Sequence, residues 1–170
     1  MELVPEEAQR QLSSIAEQIG MLWLNFLALQ GVLRICNAGL SGEMQDSPRL
    51  LKDGDIVPLD TFYNCDSLYN TIEKFQKIFK HDPRYRAQDI ELDKEQLTKV
   101  RNAFAHGYTR SPWVVPIKLI NLDPIPDEKT KVKVVFAEDI SVDFLKPLNK
   151  SLFDQITKLV KLSEQLAGRE

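Results

Sequence analysis

Apolar residues recur at helical spacing in four stretches of the chain, and one region between the third and fourth alternates at strand spacing. From Pro5 to Ala38 only Gly20 and Gly31 interrupt a helical pattern, and Pro5 with Glu6 and Glu7 suits a first turn. The far half of this helix is apolar on most of its circumference, which predicts cover on several sides. Gln30, Arg34 and Asn37 break that surface at i, i+4 and i+7. This polar stripe reaches either solvent or a polar cleft. Gly39 to Asp60 has no period and is long for a connection inside a compact domain.

Helical period returns by Asp66, where Leu68, Ile72, Phe75 and Phe79 form a stripe that stops before Pro83. Phe62 and Cys65 would extend it backwards by about a turn. A third helix is expected from Asp93, with Gln96 as capping-box partner, to Gly107. Leu97, Val100 and Phe104 would face the core, while Thr98, Asn102 and His106 share a polar face that Arg101 borders. Beyond Tyr108 the runs Trp113 to Ile120 and Lys131 to Phe136 are β-branched, and a Pro/Asp-rich turn over Asn121 to Thr130 separates them. They read as an antiparallel hairpin whose Pro116 suggests an edge strand. Ser141 opens a last helix, bent or restarted at Pro147, with Leu148, Leu152, Ile156, Leu159, Ser163 and Leu166 along a heptad-like seam. The expected fold is mainly α. It is a four-helix bundle in one domain, residues 1–170, with a β-hairpin inserted at about 113–137 before the last helix.

Composition narrows the function classes. The 170 residues are 43% hydrophobic and 28% charged, with a net charge of −3, ordinary for a globular protein. An acidic balance argues against a protein that coats nucleic acid, yet leaves room for a basic groove holding a short stretch of RNA. Two cysteines, Cys36 and Cys65, and two histidines, His81 and His106, are too few for a disulfide framework or a zinc cage. No metal and no cofactor are expected. Glu2, Glu6 and Glu7 have the wrong sign for a signal peptide. Met21 to Leu40 is apolar enough to raise the question of a membrane, but Asn25, Gln30, Arg34 and Asn37 interrupt it. A cytoplasmic protein without a membrane span is the expectation. The most basic segment carries Lys74, Lys77, Lys80, His81, Arg84 and Arg86. It is either a solvated face or a phosphate track, with Phe79 and Tyr85 available for stacking on bases.

The densest polar chemistry lies in Val100-Arg101-Asn102-Ala103-Phe104-Ala105-His106-Gly107-Tyr108. One reading is a basic helix end, with Gly107 in the left-handed C′ position. The other is a site that grips and cleaves a phosphodiester without metal. Histidine can act as base or acid near its ordinary pKa of about 6.5. Arg101 would stabilise charge on the phosphorane by a bidentate contact, and Asn102 would orient the phosphate or His106. Residues five apart on a helix stand about 140° apart, so Arg101 and His106 cannot both face one phosphate from a straight helix. Either the helix loosens at His106, or a second copy of the chain completes the site across a two-fold axis.

Arg101-Asn102, three further residues and His106, followed by Gly107, resembles the signature of the HEPN superfamily (higher eukaryotes and prokaryotes nucleotide-binding). The match covers seven residues, and the expected helix order around it is similar. The resemblance implies a homodimeric four-helix bundle with the motifs facing each other across a cleft. It implies a metal-independent endoribonuclease, often a toxin or defence effector, with Arg101, Asn102 and His106 as catalytic residues. Other members are catalytically silent and bind a nucleotide or a protein partner. One toxin branch carries a tyrosine two residues after the histidine, which a nucleotidyltransferase-type antitoxin adenylylates. Tyr108 matches that position, although the hairpin departs from that branch.

Overall fold

The computed structural model describes residues 5–42, 66–85, 89–109, 115–126 and 130–168. Among them are four helices, α1 (Glu6–Ser41), α2 (Leu68–His81), α3 (Lys94–His106) and α4 (Val142–Leu166). Three strands, β1 (Tyr108–Thr109), β2 (Ile117–Pro124) and β3 (Val132–Ile140), lie before the last helix. The protein is therefore mainly helical, with a small antiparallel sheet in the order β1-β2-β3. The chain divides into two compact units, 1–26 with 95–153 and 27–94 with 154–170.

In the first unit, Ile15, Leu22 and Phe26 of α1, Val100 and Ala103 of α3, Leu119 of β2, Phe136 and Ile140 of β3, and Leu145 and Leu152 of α4 are buried. A polar clasp ties α1 to α4: Asn25 Nδ2 donates to Asn149 Oδ1 at 3.0 Å, and Asn149 Nδ2 donates to the Gln18 carbonyl at 2.9 Å. Asn149 is only 4% exposed, so these bonds replace the water it lost. Ser141 caps α4 by accepting from the Phe144 N–H at 3.1 Å.

The sheet departs from the expected hairpin. Tyr108 and Thr109 pair with Ile120 and Leu119 and add a third strand. That makes β2 central, and Pro116 precedes it instead of marking an edge strand. β2 also continues through Asn121–Pro124, which the composition assigns to the turn. A bulge between Asn121 and Leu122 lets those residues pair with Val132–Phe136. Of the expected strand Trp113 to Ile120, Trp113 and Val114 lie outside the described residues, and the observed strand begins at Ile117. α4 runs unbroken through Pro147. The N–H that proline lacks would have bonded only to the carbonyl of Asp143, in the exposed first turn.

In the second unit, Leu29, Leu33 and Cys36 of α1, Leu68, Ile72, Phe75 and Phe79 of α2, and Leu159 and Leu162 of α4 are buried. Phe75 and Phe79 stack with centroids 5.0 Å apart. α1 reaches Ser41, past the expected end at Ala38, and stops where Gly42 takes φ 73°. Gly39, the first residue of the stretch without a period, stays helical. α2 begins at Leu68, with Ser67 accepting from the Asn70 N–H. Phe62 and Cys65 lie outside the described residues. The polar stripe of α1 turns inward at its end: Asn37 is 2% exposed and donates to the Thr71 carbonyl at 3.2 Å. Gln30 donates to the Asp66 carbonyl.

Candidate functional site

α3 carries the motif. Its buried stripe centres on Val100 and Ala103, with Leu97 and Phe104 half-buried beside it. Small Ala103 lets the helix lie close to its neighbours. Rotating away from this stripe brings up Arg101 and Asn102, both half-buried. Arg101 Nη1 donates to Asn102 Oδ1 at 3.1 Å, which holds the two side chains together. His106, the last residue of the helix, is exposed and makes no hydrogen bond among the described residues. The motif is thus split into a linked Arg–Asn pair and a separate imidazole. Thr98, on the expected polar face, is half-buried, and its Oγ1 is buried without a partner.

The helix does not loosen at its end. The Gly107 N–H still donates to the Ala103 carbonyl at 2.8 Å, an ordinary helical bond. Gly107 is also not left-handed, since Gly42 and Gly168 are the described glycines with positive φ. Its reason is close approach. A Cβ there would stand 2.3 Å from the Ala103 carbonyl oxygen, 2.8 Å from that of Ile120 and 3.0 Å from Leu119 Cδ1. Tyr108 follows in β1, paired with Ile120, and is 53% exposed. The chain therefore leaves His106 directly into the sheet.

Lys99 is a cation that the motif does not name. It lies three residues before Asn102 and seven before His106, within about 60° of both around the helix. It is exposed and makes no ion pair among the described residues. Lys99 and Gln96 line an open pocket of about 230 Å³ with Val134–Glu138 of β3. Counting i, i+3 and i+7 from Lys99 would have found it.

The basic run belongs to the second unit, and much of its charge is used locally. Lys77 Nζ lies 3.5 Å from Glu73, and Lys94 Nζ lies 2.7 Å from the same carboxylate. The hydrogen bond from Lys94, with Lys77 nearby, holds the Glu73 carboxyl below the usual range. Glu73 and Tyr69 in turn raise Lys94, whose Nζ also stands 4.4 Å from the Tyr69 ring centroid. Arg84 Nη2 meets Asp82 Oδ2 at 2.6 Å, and Arg84 Nε adds a contact at 3.0 Å. The pair lowers the Asp82 carboxyl. Arg84 also stands 5.2 Å from the Tyr85 ring centroid. Lys80 is exposed and Lys74 half-buried, neither with an ion-pair partner among the described residues. Arg86 lies outside the described residues.

No group of three His, Cys, Asp or Glu side chains converges among the described residues. No family model, no curated protein and no solved structure matches the chain.

Proposed function

We propose that the chain is a metal-independent endoribonuclease of HEPN type that works as a dimer. The observation that carries this reading is the linked Arg101–Asn102 pair with an exposed His106 at a fixed helix end. Arg101 and Asn102 bind and polarise the phosphate, and His106 moves the proton between the 2′-hydroxyl and the leaving 5′-oxygen. The product is a 2′,3′-cyclic phosphate. Because α3 stays regular up to Gly107, one copy presents Arg101 and His106 on different sides of the helix. A second copy supplies the missing half of each site. The four-helix HEPN-like bundle, a role as toxin or defence effector, and RNA as substrate all belong to this proposal. Tyr108 is exposed two residues beyond His106, open to adenylylation by a nucleotidyltransferase-type antitoxin.

A second reading is a silent HEPN-like module that binds a nucleotide or protein. It is favoured by the lack, among the described residues, of a hydrogen bond that would fix the His106 tautomer. Single-stranded RNA incubated with the protein in EDTA decides between them. The enzyme reading expects cleavage to cyclic phosphate ends that His106→Ala abolishes. Intact RNA, or equal cleavage by the variant, leaves the silent module.

A further inference from the structure

α1 carries a row of side chains for which the described residues supply little packing and no ion pair. Glu17, Gly20, Leu24, Leu27, Gly31 and Arg34 alternate steps of three and four along one unbroken helix. That is the spacing of a coiled-coil seam. Leu24 is 67% and Leu27 64% exposed. A Cβ at Gly20 or at Gly31 would meet nothing within 4 Å. Glycine inside a helix weakens it, and among the described residues no close packing requires either glycine. Glu17 has no ion-pair partner among the described residues, and half-buried Arg34 has a buried Nε without a hydrogen bond.

The row reads the same in both directions. A two-fold axis midway between Asn25 and Phe26 places Leu24 against the partner's Leu27 and Gly20 against the partner's Gly31. The same operation places Glu17 against the partner's Arg34, twice per pair of helices. In an antiparallel coiled coil these pairs share core layers. The leucines meet at the centre, the glycines let the backbones close in on either side, and the outer layers join opposite charges.

We infer that α1 is a self-association surface, on which α1 of a second copy packs antiparallel with Glu17 facing the partner's Arg34. A lipid surface would also accept Leu24 and Leu27, but it gives no account of the symmetric glycines or of the matched charges. The inference does not rest on the ribonuclease reading and stands whether or not the chain cleaves RNA.

Sedimentation equilibrium of the full chain tests it, with circular dichroism melts to confirm that each variant is folded. Wild type should form a dimer, and Leu24→Glu with Leu27→Glu should weaken it by at least roughly a hundredfold. Glu17→Arg and Arg34→Glu should each weaken it about tenfold by setting like charges in two layers. An equimolar mixture of these two variants should recover the dimer, since every swapped side chain then meets its opposite charge. A wild type that stays monomeric, or a dimer indifferent to the leucine variants, overturns the inference. So does a dimer that needs the leucines but ignores the charge swaps. Monomers that sediment with phosphatidylcholine–phosphatidylglycerol vesicles, and stop when the leucines are replaced, assign the face to lipid instead.

Discussion

Gly107 lies so close to Ile120 that a Cβ on the glycine would stand 2.8 Å from the isoleucine carbonyl oxygen. The end of α3 and the middle strand of the sheet therefore meet backbone to backbone. Gly107→Ala should destabilise the fold by about 1–3 kcal/mol, because both crowded oxygens belong to main chain that cannot swing away. Urea unfolding measures it. A loss well under 1 kcal/mol would mean that the junction relaxes freely.

His106 is exposed and makes no hydrogen bond among the described residues, so its role can be separated from folding. His106→Ala should leave stability within about 0.5 kcal/mol of wild type, while RNA cleavage in EDTA disappears. Arg101→Ala breaks the bond to Asn102 and should cost about 1 kcal/mol as well as activity. Unchanged cleavage by both variants would remove them from the chemistry.

The clasp of Gln18, Asn25 and Asn149 is largely buried, and Asn149 both donates and accepts in it. Asn149→Ala leaves the Asn25 amide and the Gln18 carbonyl without their partner. A loss of about 1–3 kcal/mol is expected. Asn149→Asp should also destabilise, since a carboxylate cannot donate to the Gln18 carbonyl. Thermal melts of the two variants check both statements.

Glu73 supplies a pH dependence of known sign. Its carboxyl is lowered in the folded protein, chiefly by the hydrogen bond from Lys94. Its contribution is complete above the unfolded value of about 4.3 and is lost as pH falls through the lowered folded value. The stability gap between wild type and Glu73→Gln should therefore be constant at neutral pH and close in acid. Denaturation midpoints followed from neutral pH to pH 3 should show that narrowing. A gap that widens in acid contradicts it.

Burial pushes the Cys36 thiol up to about 12, and its Sγ donates to the Leu159 carbonyl at 3.4 Å. A thiol that stays protonated is a poor nucleophile. Iodoacetamide at pH 8 should label Cys36 only after unfolding, as peptide mass spectrometry would record. Rapid labelling of the native protein would show that this part of the core opens.

The four helices were legible because each carries a long apolar period with punctuation at its ends. Ser141 opens α4 as expected and caps it, whereas the caps at Ser67 and Gly42 are not signalled by the apolar period. The sheet was read less well. Two residues, Tyr108 and Thr109, are too short a strand to leave a period, yet they move β2 to the centre. The bulge at Asn121 carries pairing into a segment whose Pro and Asp content signals a turn. Within the candidate site, helical periodicity sets Arg101 and His106 apart, and α3 stays regular to its end. Periodicity could not foresee the Arg101–Asn102 bond, since neighbours in sequence point in different directions unless a long side chain reaches across. The reason for Gly107 was also hidden, because it depends on a strand that comes later in the chain.

The grip of Arg84 on Asp82 also changes what the basic run can do in salt. Binding RNA releases condensed cations from the phosphates, and each protein charge that replaces one adds about 0.7 to the slope of log affinity against log salt for a single strand. Arg84 and Lys77 already have carboxylate neighbours within the same stretch. Each therefore displaces fewer counterions than its formal charge suggests. Any RNA contact made through this segment should be held by a weaker salt dependence than six basic side chains in so short a span would lead one to expect.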